Sequence, residues 1–229
     1  MKNQHKGVFP MFNTGIVLFF TIAVVFVFIF VNIGFSVNDS QKDVVQDAYD
    51  EVREQLEISG KISAAANSAL DKITVTAIPI RSSSGGTVNL NPQSTEIFFN
   101  LIRKSNVIAE HENIYSGRLM DRTFNSLKEA VEEAKNQGII ENNPFVDKQK
   151  PTKTESFVYW VLNQNFDHFV DDEELAVIAI IYSETERPAS GDDLFIEVNV
   201  PEGFVLRTNQ KVPNISNEVL NFGGILIES

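Results

Sequence analysis

The sequence predicts an α+β protein, a long N-terminal hydrophobic α-helix followed by an all-β sandwich. Three observations carry this. No Asp, Glu, Lys or Arg occurs between Gly7 and Asp39. From about residue 56 onward, short segments alternate apolar and polar residues and are separated by Gly, Pro, Asn and Asp. Only one later stretch, Asp121–Gly138, has the three-and-four spacing of an amphipathic helix.

The N-terminal helix comes first. Between Ile16 and Val31 only Thr21 is not plainly apolar. As a helix, residues 15–37 span ~35 Å, enough to cross a bilayer core. The apolar surface goes all the way round, unlike the one-sided stripe of a helix on a soluble domain. Lys2 and Lys6 precede the run and acidic residues dominate after it, so the charge bias places residues 1–7 in the cytoplasm and the bulk of the chain outside. Three readings of this segment stand side by side. One is a removable secretory signal, with Gly34-Phe35-Ser36 as a small-x-small cleavage site, although the run exceeds the usual ~7–15 apolar residues. Another is a signal anchor that stays in the membrane. The last resembles a type IV pilin leader, cut after Lys6-Gly7 and before Val8. That cut would remove the lysines that hold the helix at the membrane face and let it move into a bundle of identical helices.

Residues 39–59 read as an amphipathic continuation. Val45, Ala48, Tyr49, Val52 and Leu56 line one face, and Gly60 is the latest sensible end. Leu56–Ile62 contains a candidate first strand, and Lys72–Ile80 alternates clearly. Pro79 requires an edge or a bulge there, because proline has no N–H for the ladder. Further strands are expected at Thr87–Leu90, Thr95–Ile102, Ser156–Leu162, Leu175–Tyr182, Leu194–Val200, Phe204–Thr208 and Val219–Ile227. In the helix at 121–138, Phe124, Leu127, Val131 and Ala134 share a face, Asp121 or Thr123 caps the start and Gly138 the end. It is either an insertion decorating an outer surface or a helix closing one end of the sandwich. The expected organisation is a leader at 1–7, a helix at 8–58, and a β domain at 59–229.

Composition excludes several function classes. The 19 Lys and Arg stand against 31 Asp and Glu, a net charge of −12, which argues against nucleic acid or anionic lipid as the main partner. The chain has no Cys, hence no disulfide, thiolate nucleophile or Cys-based zinc site. No phosphate loop, dinucleotide fingerprint, nucleophile elbow or His-Glu-x-x-His is present. His111 sits in a polar stretch expected to be a solvated loop. The one candidate cation site is the acidic cluster of Asp167, Asp171, Asp172 and Glu173, since oxygen-rich loops suit Ca²⁺, but it lacks regular ligand spacing, and acidic runs before strands are usually just solvated turns, so no metal is assigned. No catalytic residue and no cofactor is assigned. Two Asn-x-Ser sequons mark Asn38 and Asn214 as glycosylation acceptors, Asn38 crowded beside the helix and Asn214 in a loop.

The sequence resembles the archaellins, the archaeal flagellins of the motility filament. The likeness rests on Lys6-Gly7-Val8 and the run that follows; on Lys72–Ile80, Val88-Asn89-Leu90-Asn91-Pro92 and Glu112–Gly117; and on a C-terminal series. That series is Asp171–Ile178, Phe195–Gly203 with its Pro-x-Gly turn, Lys211-Val212-Pro213 and Val219–Gly223. Pro10, Phe12 and Asn13 depart from the family pattern, and Gly224–Ser229 runs past its usual end. The resemblance implies a pilin-type helix in a filament core and an immunoglobulin-like outer domain. Its implied partners are sister subunits, a prepilin-type peptidase, the membrane before assembly, and a motor with its assembly platform. The implied location is an extracellular filament. A single-pass anchored extracellular β-domain for ligand or surface binding, or a related adhesion pilin, is the alternative.

Overall fold

The computed structural model describes residues 56–83, 86–104, 106–146, 150–201 and 205–222. The leader, the apolar run and the amphipathic stretch up to residue 55 lie outside these residues. Among the described residues no helix is long and apolar enough to cross a membrane.

In chain order the strands are β1 (Leu56–Ile58), β2 (Ile62–Asn67), β3 (Lys72–Ser82), β4 (Val88–Asn89), β5 (Glu96–Arg103), β6 (Asn106–His111) and β7 (Tyr115–Leu119). The helix α1 (Leu127–Asn136) follows, then β8 (Glu155–Leu162), β9 (Phe169–Val170), β10 (Leu175–Ile181), β11 (Asp193–Asn199), β12 (Val205–Lys211) and β13 (Val219–Phe222). The larger sheet runs β13-β2-β3-β10-β8-β7, with β1 also on β3; the smaller runs β12-β11-β5-β6; β4 and β9 form a short ribbon.

Alternation in β5 and β11 points Ile97, Phe99, Leu101, Leu194, Ile196 and Val198 inward, where they are buried. They meet Ile78, Ile80, Val158, Trp160, Ile178 and Ile180 of the larger sheet, making the core of a β-sandwich. Each fully buried side chain of this size contributes ~1.5–3 kcal/mol relative to exposure. β10 does not alternate. From Ala176 to Ile181 every residue is buried, because both its faces are covered. The second face, with Val177, Ala179, Ile181, Val75, Phe157 and Tyr159, packs on Phe124, Ala130, Val131 and Ala134 in and before α1. The described residues therefore form a sandwich with a third, helical layer. The 121–138 segment is a packing helix laid on the outer face of the larger sheet, not one closing its end.

The helix is shorter than expected. Its N-cap is Ser126, whose hydroxyl accepts from the Glu129 amide, rather than Asp121 or Thr123. The Phe124 amide is already bound to the Trp160 carbonyl at 2.9 Å, which holds the chain extended before Ser126. At the other end Ile139 N–H bonds to Ala134 and Gly138 N–H to Lys135, with Gly138 at φ +73°, a Schellman motif that supports the expected stop at Gly138.

Three further corrections concern strands. Leu56–Ile58 is already strand, so the domain boundary drawn at 58/59 falls late. β1 and β2 form one rail along β3, broken at Ser59–Lys61, where Gly60 has φ +106°. Pro79 lies opposite that break in an interior strand. Its carbonyl accepts from the Ser59 amide, so its missing N–H faces the gap and costs the sheet little. Finally, β6 and β7 occupy a region expected to contain no strand. β7 pairs parallel with β8, so the crossover between them, Met120–Thr154, carries α1.

Candidate assembly surfaces

Of the residues singled out in sequence, Lys6, Gly7, Val8 and Asn38 lie outside the described residues. Asn214 is exposed between β12 and β13, next to Ile215, which is buried and bonded through its amide to the Ser190 hydroxyl.

The acidic cluster folds as a self-contained turn. Asp167 accepts from the Phe169 amide, Asp171 from the Thr87 hydroxyl and the Asn165 side chain, and Asp172 from the Glu173 amide. Glu173 has φ +65°. Buried Glu174 accepts from the amides of Gln164 and Asp171. The carboxylates thus satisfy backbone donors as Asx-type turns do. Among the described residues no group of three or more His, Asp or Glu could hold a metal ion.

His111 is not in a solvated loop. It ends β6, half-buried, with its ring stacked 6.1 Å from Phe99 and Nε2 3.2 Å from Glu186. Thr154 also donates to Glu186, so a carboxylate stands between the imidazole and the hydroxyl. That order ties strands together and does not activate a nucleophile. Burial pushes Glu186 up, but the hydrogen bonds from Thr154 and Ser183 and the nearby His111 outweigh it and hold the carboxyl below its ordinary range.

Two surfaces emerge that sequence reasoning did not find. The outer face of the smaller sheet carries a recess of about 420 Å³ lined by Phe98, Asn100, Phe195 and the Glu197–Arg207 ion pair at 2.7 Å. Asn100 and Asn199 each have a buried side-chain oxygen with no hydrogen-bond partner among the described residues. The second surface is a groove of about 460 Å³ beside α1, floored by Ala65, Ala77, Pro79 and Val177 and walled by Phe124 and Phe145. These residues come from five separate segments. The sequence signal was only the small residues Ala65 and Ala77 on one face of their strands.

No family model and no curated protein matches the sequence. Among solved structures the fold is similar to archaeal flagellin FlaB1 from Methanocaldococcus jannaschii. The TM-score is 0.52 at 12% identity, covering 74% of this chain and 97% of that one. This is an archaellin-like fold. The archaeal flagellum of Methanospirillum hungatei matches with a TM-score of 0.43 at 12% identity, over 90% of this chain and 94% of that one. The archaellum periplasmic stator protein FlaG from Sulfolobus acidocaldarius matches at 0.34 and 10% identity, over 68% and 97%. In this archaellin-like fold the recess lies wholly on strands, whereas the groove combines strand residues with loop and helix residues such as Phe124, Leu127 and Phe145.

Proposed function

We propose that the chain is a structural subunit of an archaellum-type filament and not an enzyme. The observation that carries this reading is an archaellin-like fold in a chain whose residues 8–38 hold no charge. In this reading a prepilin-type peptidase removes residues 1–7. The helix from Val8 then leaves the membrane for a core of sister helices. That contact is head-to-tail and does not close, so it propagates as a helical filament. The immunoglobulin-like outer domain faces solvent and neighbouring subunits, and the filament turns on a membrane motor. The mature chain carries 17 basic and 31 acidic residues, a net of −14, all of it beyond residue 38. Asn214 is the better-placed glycan acceptor on the outer surface.

The test is intact-mass measurement of the exported protein, with electron microscopy of sheared surface filaments and mass spectrometry of their subunits. A mature start at Val8 and the chain within filaments are expected. A retained Met1 with no filament supports the membrane-anchored binding domain instead, and a start at Val37 a secretory signal. Filaments that mediate attachment without swimming point to an adhesion pilin.

A further inference from the structure

The smaller sheet ends in two open edges. Its order is β12-β11-β5-β6, so β12 and β6 have one neighbour each. Outside those ladders, no backbone bond reaches Val205–Lys211 or Asn106–His111 among the described residues. Such edges recruit further strands, and proteins usually blunt them with charge. Here the two edges carry charge of opposite sign. β6 holds Glu110 and is followed by Glu112, and neither has an ion-pair partner among the described residues. β12 holds Lys211 and Arg207, the latter with its side chain 72% exposed. β6 also exposes Val107 and Ile108 side by side, at 60% and 38%. A bulge opposite Leu101 and Ile102 gives this strand one extra residue there.

We propose that β6 of one copy pairs antiparallel with β12 of a second copy, so that the smaller sheet continues from chain to chain. This rests on the filament reading and adds to it a specific contact between outer domains. Polarity favours the pairing. All three ladders are antiparallel across four strands, so β6 and β12 run in opposite directions. A second copy in a similar orientation therefore presents its β12 antiparallel to β6. The pleat agrees. Glu110 lies opposite Asn100, and Arg207 opposite Glu197, which lies opposite Phe98, so both charges stand on the outer face. Ala109 and Thr208 are both buried on the inner face. Setting Glu110 opposite Arg207 also sets Ala109 opposite Thr208 and Ile108 opposite Asn209, and each side chain keeps its face. Arg207 then stands between Glu197 of its own chain and Glu110 of the next. Lys104, in the β5–β6 turn, lies beyond the paired residues. Two β6 edges would bring glutamates together and two β12 edges would bring cations together, so only unlike edges attract. The contact is head-to-tail and does not close on itself. The larger sheet has two more strands on its main path than the smaller, about 10 Å of extra width, so the layers taper and joined copies follow a curve. One strand pair is too small to hold two free domains together. It forms once the N-terminal helices have brought the domains to a high local concentration.

The chain has no Cys, so introduced thiols report the contact in the full-length protein on cells. Ile108→Cys and Asn209→Cys in one chain place exposed thiols opposite each other across the proposed pair and leave Glu110 and Arg207 intact. Mild oxidation is expected to give a ladder of disulfide-linked dimers, trimers and longer chains, because each subunit is linked at both edges. Each single variant should stay monomeric. Ile108→Cys with Glu132→Cys on α1 is the control, and its ladder should be roughly tenfold weaker. Adding Glu110→Lys to the reporting pair should cut the yield roughly tenfold, because two cations then face each other. Filaments by electron microscopy with no ladder above the control would overturn the edge contact and leave the filament reading standing. A ladder without filaments would keep the edge contact and sink the filament reading, and neither would sink both. Dimers from Ile108→Cys alone, or a ladder unchanged by Glu110→Lys, would also overturn the proposal.

Discussion

Arg103 and Asp192 form a two-point ion pair, Nε to Oδ1 at 3.0 Å and Nη2 to Oδ2 at 2.7 Å, that fastens the end of β5 to the residue preceding β11. Asp192 is almost fully buried and also accepts from the Ala189 amide, so its charge has three donors and almost no water. Asp192→Ala leaves the guanidinium and that amide unpaired. A loss of ~2–4 kcal/mol is expected, below the ~3–5 kcal/mol for breaking a fully buried pair because the Arg103 side chain is 31% exposed. Urea unfolding of residues 56–229, expected to be soluble, monomeric and mainly β by circular dichroism, measures it. A change under ~1 kcal/mol contradicts the assignment.

Stability at high pH follows from buried phenols. The Tyr182 hydroxyl donates to Thr76 at 2.8 Å and the Tyr115 hydroxyl to the Leu90 carbonyl at 2.7 Å. Burial raises both phenols well above the ordinary value, with smaller opposing effects from Thr76 and Arg118 respectively, and pushes Tyr159 up to about 12. A folded-state pKa above the unfolded one means that stability is fully present below pH ~10 and is lost as pH rises through the folded value. Each such tyrosine steepens the alkaline limb by ~1.4 kcal/mol per pH unit. Tyr115→Phe should remove one such increment between pH 10 and 12 while costing ~1 kcal/mol at neutral pH for the lost hydrogen bond. Urea titrations at stepped pH would show whether the slope changes.

Gly117 of β7 is required by close approach and not by backbone angle. A Cβ there would stand 3.0 Å from Cγ2 of Ile139, just after the helix stop. Gly117→Val should cost ~1–3 kcal/mol by overpacking. The compensating Gly117→Val with Ile139→Ala should recover part of it. Thermal unfolding of both variants tests this, and no recovery in the pair would locate the clash elsewhere.

Val24→Asp examines the proposed helical core. One acidic residue at the centre of a membrane helix costs ~2.5–3.5 kcal/mol on insertion scales, which the surrounding apolar residues offset. In a filament the same carboxylate is desolvated in each subunit, with no headgroup region to reach. The mutant is expected to be exported and cleaved but absent from filaments. Mutant subunits found inside normal filaments would refute the core placement.

Much of this architecture was readable from period and punctuation. β3, β5, β8, β10 and β11 fall within two residues of the segments that alternation or apolar runs marked. What escaped has physical causes. β7 reads Tyr-Ser-Gly-Arg-Leu, and its Gly117 answers to Ile139, a contact 22 residues away that no local pattern encodes. β6 is an edge strand with Val107 60% exposed, so its pattern is weak. The helix start shifted because Phe124 donates to β8 rather than to a helical turn. The groove was illegible because it is a mismatch in width between two layers, assembled from residues far apart in sequence. The acidic turn was legible as a cluster, but its hydrogen bonds depend on Thr87, brought from a distant segment.

The pairing of β13 with β2 sets a clock on folding. Val219 lies opposite Ala65 and Phe222 opposite Ile62, so the first long strand waits for almost the last described residues of the chain. Emerging from the ribosome at ~5–20 residues per second, β2 spends on the order of ten seconds or more with that edge open. During this time the open edge of β2 is available to pair with another nascent chain. The larger sheet is thus completed only once β13 has emerged, and slowing synthesis between β2 and β13 should raise misassembly in proportion to the delay.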